Sequence, residues 1–141
     1  MKLMVINGPN LNMLGIREKE IYGSRDYNDI CNYIESEGKN RGHEITLYQS
    51  NIEGEIIDYI QKAYFEGYEG IIINPGAFTH YSYAIHDAIK SVNIPTVEVH
   101  ISNVHKREEF RKISVTASAC IGQISGFGEL GYILAMDALN K

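Results

Sequence analysis

Short apolar runs alternate with longer amphipathic stretches along this chain. A run that is apolar at nearly every position is typical of a strand buried on both faces, as in a parallel sheet that is covered by helices. The second run differs, because its apolar and polar residues alternate. The five runs occupy residues 3–6, 44–48, 70–74, 96–100 and 119–124. They predict five strands of one parallel sheet.

The stretches between the runs repeat their apolar residues at helical spacing. In the first stretch Ile30, Tyr33 and Ile34 share one face, and Arg41-Gly42 is a typical helix end. Helices are predicted at residues 26–41, 53–66, 81–91 and 128–139. We therefore expect a β-α unit repeated five times, which is an α/β fold with helices on both faces of the sheet. With 141 residues and no repeat or linker, residues 1–141 are expected to form a single domain.

Charge and cysteine content narrow the possible partners. Thirteen Lys and Arg against 18 Asp and Glu give a formal net charge of -5. This charge repels phosphate backbones and anionic lipids, so we expect neither a nucleic acid nor a membrane partner. Cys31 and Cys120 lie far apart without metal-ligand spacing. The cysteines therefore predict neither a disulfide framework nor a zinc site, and a reducing cytoplasm is the expected location.

Amides and a histidine follow the first and third predicted strands. Open parallel sheets bind ligands at the carboxyl ends of their strands. Asn10 and Asn12 follow the first strand on a Gly-Pro turn, and Asn74 and His80 lie on a Gly-Pro loop after the third. Ordinary turn chemistry is the alternative, with Thr79 capping a helix and His80 at the surface. Both loops are candidates for a binding site.

Glu98 and His100 are candidates for acid-base chemistry. Residues two apart in a strand share a face, so both side chains project the same way from the fourth strand. A carboxylate orients an imidazole and favours its charged form, which suits proton transfer near neutral pH. The alternative is a polar pair at the end of the sheet whose two side chains hydrogen-bond only to each other and have no catalytic role. The arginines of residues 105–111 either clamp a carboxylate or form a solvated helix face.

The connection at residues 8–25 is long for a βα loop and contains three glycines. It predicts a lid at about residues 15–25. Within it, Arg17 and Tyr22 form a candidate base couple. Lowering the pKa of a phenol by about two units requires about 2.7 kcal/mol of phenolate stabilisation, which a guanidinium in a closed site supplies. The chain has ten tyrosines, however, so packing is the alternative for Tyr22.

Motifs of several other function classes are missing from the sequence. It contains no G-x-G-x-x-G directly after the first strand, no Walker loop and no G-x-S-x-G elbow. The strand interiors hold no lysine for Schiff-base chemistry, since Lys2 is at the amino end of its strand. Asn7 and Asn74 stand where a receiver domain needs acidic residues. A flavodoxin-like binding module and an unrelated cofactor-free hydrolase stay as the competing hypotheses.

Taken together, the motifs closely resemble those of the type II 3-dehydroquinate dehydratases, and the resemblance covers essentially the whole chain. Its pieces are ordered along the sequence at the intervals that the family shows. They are residues 7–12, Arg17-Glu18, Ile21-Tyr22-Gly23, residues 74–80, 98–103, 107–111 and 122–124, Gly126-Phe127-Gly128 and Gly131-Tyr132.

The resemblance implies a flavodoxin-like fold and dehydration of 3-dehydroquinate to 3-dehydroshikimate through an enolate, with no metal or organic cofactor. Tyr22 matches the family's proton acceptor and Arg17 the cation that favours its phenolate. Asn10 matches the amide that holds a water against the enolate oxygen, while the role of Asn12 beside it stays open. His100 matches the proton donor to the leaving hydroxyl, and Glu98 its partner. The reaction belongs to the shikimate pathway or, alternatively, to quinate breakdown.

The resemblance also implies substrate contacts and an assembly. Asp87 matches a residue that reaches the site of an adjacent subunit, in trimers that associate into dodecamers. Lys19 and Phe78 depart from the family, where many members have Pro and Tyr, and neither position is assigned to proton transfer. The substrate contacts carried over are Asn74, His80, Ile101, Ser102 and Arg111.

Overall fold

The computed structural model describes residues 1–16, 20 and 25–140. Five strands and four α-helices alternate over most of this length. The strands are β1 (Lys2–Asn7), β2 (Glu44–Gln49), β3 (Gly70–Asn74), β4 (Thr96–His100) and β5 (Gly122–Ser125). The helices are α1 (Tyr27–Asn40), α2 (Glu53–Phe65), α3 (Tyr83–Val92) and α4 (Leu130–Leu139).

All strand pairs are parallel, in the order β2-β1-β3-β4-β5. Successive residues of β1 point to opposite faces and so divide the core into two layers. Leu3 and Val5 pack with residues of α1 and α4, whereas Met4 and Ile6 pack with residues of α2 and α3. The structure therefore confirms a three-layer, flavodoxin-like α/β fold with a five-stranded parallel sheet.

Local sequence explains why α1 begins where it does. The Asp26 side chain accepts a hydrogen bond from the Asp29 backbone N–H at 2.8 Å, and the Asp29 side chain accepts one from the Asp26 N–H at 3.2 Å. This reciprocal capping satisfies two N–H groups that the first turn leaves unpaired. Ile30 and Ile34 then bury the apolar stripe against the sheet.

The predicted β-α alternation is wrong between β4 and β5. No α-helix forms there; the chain instead makes short 3₁₀ turns at Val104–Lys106, Glu109–Lys112 and Ala117–Ala119. Ile101 and Val104 are buried, but the next buried residue is Thr116, so this segment has no apolar stripe for a helix to bury. Because residues 117–119 form a turn, β5 begins at Gly122 rather than at residue 119.

No helix among the residues that the structure describes is long and apolar enough to cross a membrane.

Gly8 directly follows β1, and its backbone contacts the loop after β3. Its N–H donates to the Asn74 carbonyl at 2.7 Å, and a Cβ on Gly8 would lie 2.5 Å from the Pro75 carbonyl oxygen. A methyl group there would push two backbones apart. We expect Gly8→Ala to lower the free energy of unfolding by about 1–3 kcal/mol, measured by urea denaturation.

Gly54→Ala is the matched control, because a Cβ on this α2 residue meets nothing within 4 Å. It should be neutral or slightly stabilising. Equal stability of the two variants would show that the backbones at Gly8 are not in tight contact.

Candidate active site

A cleft opens at the carboxyl ends of β1, β3 and β4, beside the point where the strand order reverses. Three segments line it, and each begins at or just beyond the last residue of a strand. The first contributes Pro9, Asn10 and Leu11, the second Asn74, Gly76, Ala77 and His80, and the third His100, Ile101, Ser102, Val104, Arg107 and Arg111.

Most of the residues selected from the sequence meet in this cleft. Those that line it are Asn10, Asn74, His80, His100, Ile101, Ser102 and Arg111. Glu98 lies two residues before His100 on β4 and is fully buried. Asp87 is exposed on α3, away from this lining. Arg17 and Tyr22, with most of the predicted lid, lie outside the described residues, and the roles of all these residues stay predictions.

Glu98 and His100 form a buried, hydrogen-bonded pair at the carboxyl end of β4. His100 Nε2 lies 2.9 Å from Glu98 Oε2, and both side chains are buried. Burial alone would raise the pKa of Glu98, but hydrogen bonds from His100, Thr116 and Gln123 outweigh it and hold the pKa below its usual range. Glu98 is thus a carboxylate at neutral pH. It accepts the Nε2–H of His100 and leaves Nδ1 as the ring nitrogen available to a ligand.

Asn10 sits in the left-handed backbone region, with φ of 69°, at the start of the turn Leu11–Met13. Asn is one of the few residues that tolerate this conformation. Asn51 Oδ1 accepts the Asn10 backbone N–H at 3.0 Å and is itself held by Gln49 Nε2 at 3.1 Å. Gln49 and Asn51 lie at and just beyond the carboxyl end of β2, and their support of Asn10 was not predicted from the sequence.

Asn74 has a fixed amide orientation. Its Nδ2 donates to the Tyr132 hydroxyl at 3.1 Å, and its Oδ1 accepts the Gly76 backbone N–H at 3.2 Å. Tyr132 in turn donates its hydroxyl proton to Asn7 Oδ1 at 2.6 Å. Burial raises the pKa of Tyr132, so this hydroxyl stays protonated. The second N–H of Asn74 is therefore the one that remains for the cleft.

The remaining polar lining comes from His80, Ser102 and two arginines. His80 Nδ1 donates to the Ile113 carbonyl at 2.8 Å, and burial lowers the pKa of His80, which favours the neutral ring. Arg111 Nε donates to Glu108 at 2.9 Å. Arg107 donates from Nη1 to Ser102 Oγ at 3.3 Å. The sequence analysis considered the arginines of residues 105–111 as a clamp for a carboxylate, but it named only Arg111 as a substrate contact.

Two guanidinium groups, fixed amides and a carboxylate-imidazole pair thus share one small cleft. The guanidinium groups suit a substrate carboxylate, and the amides suit hydroxyl groups. The imidazole suits proton transfer. The fold and the site therefore define an α/β enzyme for acid-base chemistry on a small polar acid.

Comparison with known proteins specifies that enzyme. The family model described as dehydroquinase class II matches residues 1–140. The 3-dehydroquinate dehydratase of Clostridium beijerinckii is 76% identical over 140 residues, which are 99% of this chain and 96% of that protein. The crystal structure of a type II dehydroquinase from Butyrivibrio crossotus superposes with a TM-score of 0.98 at 61% identity, covering 100% of this chain and 98% of that one. The type II dehydroquinase of Propionibacterium acnes gives a TM-score of 0.94 at 38% identity, with coverage of 98% and 94%.

The chain belongs to the dehydroquinase class II family, as the motifs indicated. Its activity is the dehydration of 3-dehydroquinate, a step of the shikimate pathway.

Proposed function

We propose that this chain dehydrates 3-dehydroquinate to 3-dehydroshikimate by anti elimination through an enolate, without metal or organic cofactor. The observation that carries this proposal is the buried Glu98–His100 pair at the cleft wall. A protonated imidazole held there is placed to give a proton to a poor leaving group. The cytoplasm is the proposed location, from the cysteine usage alone.

The first step removes a proton from the carbon next to the ketone. The phenolate of Tyr22, favoured by Arg17, takes this proton, and the electron pair of the C–H bond moves onto the ketone oxygen. Asn10 holds a water that donates to the resulting enolate oxygen. The left-handed backbone of Asn10, clamped by Asn51, supports this role because it keeps the residue in one position before substrate arrives.

The second step expels the hydroxyl group. The enolate electrons return to form the ketone and the new carbon-carbon double bond while the C–O bond breaks. Before the transfer, Glu98 stabilises the imidazolium of His100. His100 then gives its proton to the departing oxygen, which leaves as water. The proton on Tyr22 must then return to His100 through solvent before the next turnover. The base and the acid act on opposite faces of the ring.

Substrate recognition falls on the polar lining of the cleft. Arg111 holds the substrate carboxylate, while Asn74, His80 and Ser102, with the backbone at Ile101, hold its hydroxyl groups. The internal hydrogen bonds of Asn74 and His80 support this assignment, because each side chain is already oriented without the ligand.

The direct test mixes the purified protein with 3-dehydroquinate and follows the ultraviolet absorbance of the conjugated enone. The assay is repeated after treatment with borohydride in the presence of substrate. Enone formation that survives borohydride is expected, since an enolate route forms no reducible imine. Loss of activity after borohydride would contradict the enolate route, and a folded protein that forms no enone would overturn the proposed reaction.

Assembly is a further part of the proposal, with Asp87 serving a neighbouring subunit in trimers that form a dodecamer. Asp87 is exposed and does not line the cleft of its own chain. Large apolar side chains near the cleft segments are also exposed, among them Tyr81, Phe110 and Ile113. Such surfaces are typical of protein interfaces.

On dilution, specific activity and oligomer mass are therefore expected to fall together, as measured by enone formation and light scattering on the same samples. Asp87→Ala should lower activity without lowering oligomer mass. A monomer with full activity would contradict this part of the proposal.

A further inference from the structure

Three side chains besides His100 donate hydrogen bonds to the Glu98 carboxylate. Ser114 Oγ donates to Oε2 at 2.9 Å and Gln123 Nε2 donates to the same oxygen at 2.7 Å. Thr116 Oγ1 donates to Oε1. These three residues, Ser114, Thr116 and Gln123, are called the Glu98 cradle below.

The hydroxyl protons of the cradle are fully committed. Ser114 and Thr116 have one hydroxyl proton each, and each gives it to Glu98. Thr79 Oγ1, 3.1 Å from Thr116 Oγ1, must then be the donor to Thr116. Ser114 Oγ is held by the backbone N–H of Ala117 at 2.9 Å. The donors therefore point at Glu98 in one defined pattern.

The cradle brings together parts of the chain that are distant in sequence. Ser114 and Thr116 lie on the connection after β4, and Gln123 lies on the edge strand β5 as the register partner of Glu98. Thr79 belongs to the turn that also carries His80 in the cleft. The position of Glu98 is thus set from three sides rather than by His100 alone.

Charge explains what the cradle does. A buried carboxylate without donors takes up a proton, whereas one that accepts several hydrogen bonds stays ionised. The titratable groups around Glu98 are His100 on β4, His80 on the turn after β3 and Cys120 before β5. Burial and the charge of Glu98 raise the pKa of the Cys120 thiol to about 12, so it stays neutral. Burial likewise favours a neutral His80.

We propose that Thr116 and Gln123 are positioning residues for the dehydration, which keep Glu98 ionised and aimed at His100 Nε2 so that the imidazole is oriented and charged for proton donation. This inference rests on the proposed role of His100. A carboxylate that became neutral would lose its hold on the imidazolium, while the cleft lining itself would be unchanged.

The test compares Thr116→Val, which removes the donor at nearly constant volume, with Thr116→Ser, which keeps it. Losing a hydrogen bond to a charged group destabilises the ionised form, so Glu98 will take up its proton at higher pH. In Thr116→Val we expect kcat to fall about tenfold or more with KM nearly unchanged. The acid limb of kcat has an upper break where the Tyr22 phenolate takes up a proton and a lower break where Glu98 does, and the lower break should move up by about one pH unit. Thr116→Ser should keep the wild-type limb.

Gln123→Leu provides a second variant that does not depend on core packing, because Gln123 is exposed on the edge strand. It should move the lower break of the acid limb in the same direction. Wild-type pH profiles of kcat in both Thr116→Val and Gln123→Leu, with changes in thermal stability alone, would overturn the proposal that these two residues serve the dehydration.

An NMR titration of Glu98, which does not depend on turnover, tests this inference separately from the proposed reaction. The protein is labelled with ¹³C at the glutamate side-chain carboxyls, and Glu98→Gln identifies the Glu98 resonance. Its titration midpoint should rise in Thr116→Val and in Gln123→Leu. If the midpoint rises but the kcat profile does not follow, the cradle controls Glu98 and the role given to His100 is wrong. If the midpoint does not move, the cradle itself is refuted.

Discussion

His100→Ala is expected to lower kcat by about 10²–10⁴-fold while the protein stays folded. General acid catalysis by a positioned side chain contributes an effect of this size, and expulsion of hydroxide without a proton donor is slow. The fold should tolerate the change because Glu98 keeps its hydrogen bonds from Thr116, Gln123 and Ser114. Enone absorbance gives kcat and KM, and circular dichroism verifies the fold.

His105→Ala is the matched control for this variant. His105 lies on the connection that follows β4, is exposed, and is not part of the cleft lining. It should retain wild-type kcat. A His100→Ala enzyme with near-normal turnover would remove His100 from proton transfer and leave the pair with Glu98 as a structural contact.

Tyr22→Phe is expected to lower kcat by a similar factor, about 10²–10⁴-fold, because phenylalanine has no group that can accept the substrate proton. An ordinary phenol is a poor base at neutral pH, since its pKa is about 10. The proposal therefore couples Tyr22 to the Arg17 guanidinium. Arg17→Lys keeps the charge but loses the planar fork, so it should lower kcat more than it raises KM.

Tyr83→Phe is the control, because Tyr83 is exposed on α3 and does not line the cleft. It should leave kcat unchanged. Turnover close to wild type in Tyr22→Phe would assign proton abstraction to another group, and an unchanged kcat in Arg17→Lys would exclude Arg17 from the mechanism.

The hydrophobic pattern predicts the fold well where burial is two-sided. The predicted bounds of β3 and β4 agree with the structure, and every residue of these two strands is buried. The pattern fails after β4. The charged residues between 105 and 112 have helical spacing, but no apolar stripe accompanies them, and short turns form instead.

The sequence predicts those parts of the site whose residues lie together on one strand or one loop. Strand periodicity alone places Glu98 beside His100. The cradle required long-range pairing. Gln123 becomes the neighbour of Glu98 only through the parallel register of β4 and β5, and Thr116 reaches Glu98 through an irregular connection. A glutamine inside the last predicted strand, aligned against a buried glutamate, was the available signal for Gln123.

The irregular connection between β4 and β5 restricts how this scaffold can be redesigned. Arg107 and Arg111 face the cleft from one part of it, and Ser114 and Thr116 hold Glu98 from another. An insertion or deletion between them would disturb ligand contacts and the charge of the carboxylate together. New specificity is therefore better sought by substituting single residues of the cleft lining than by changing the length of this connection.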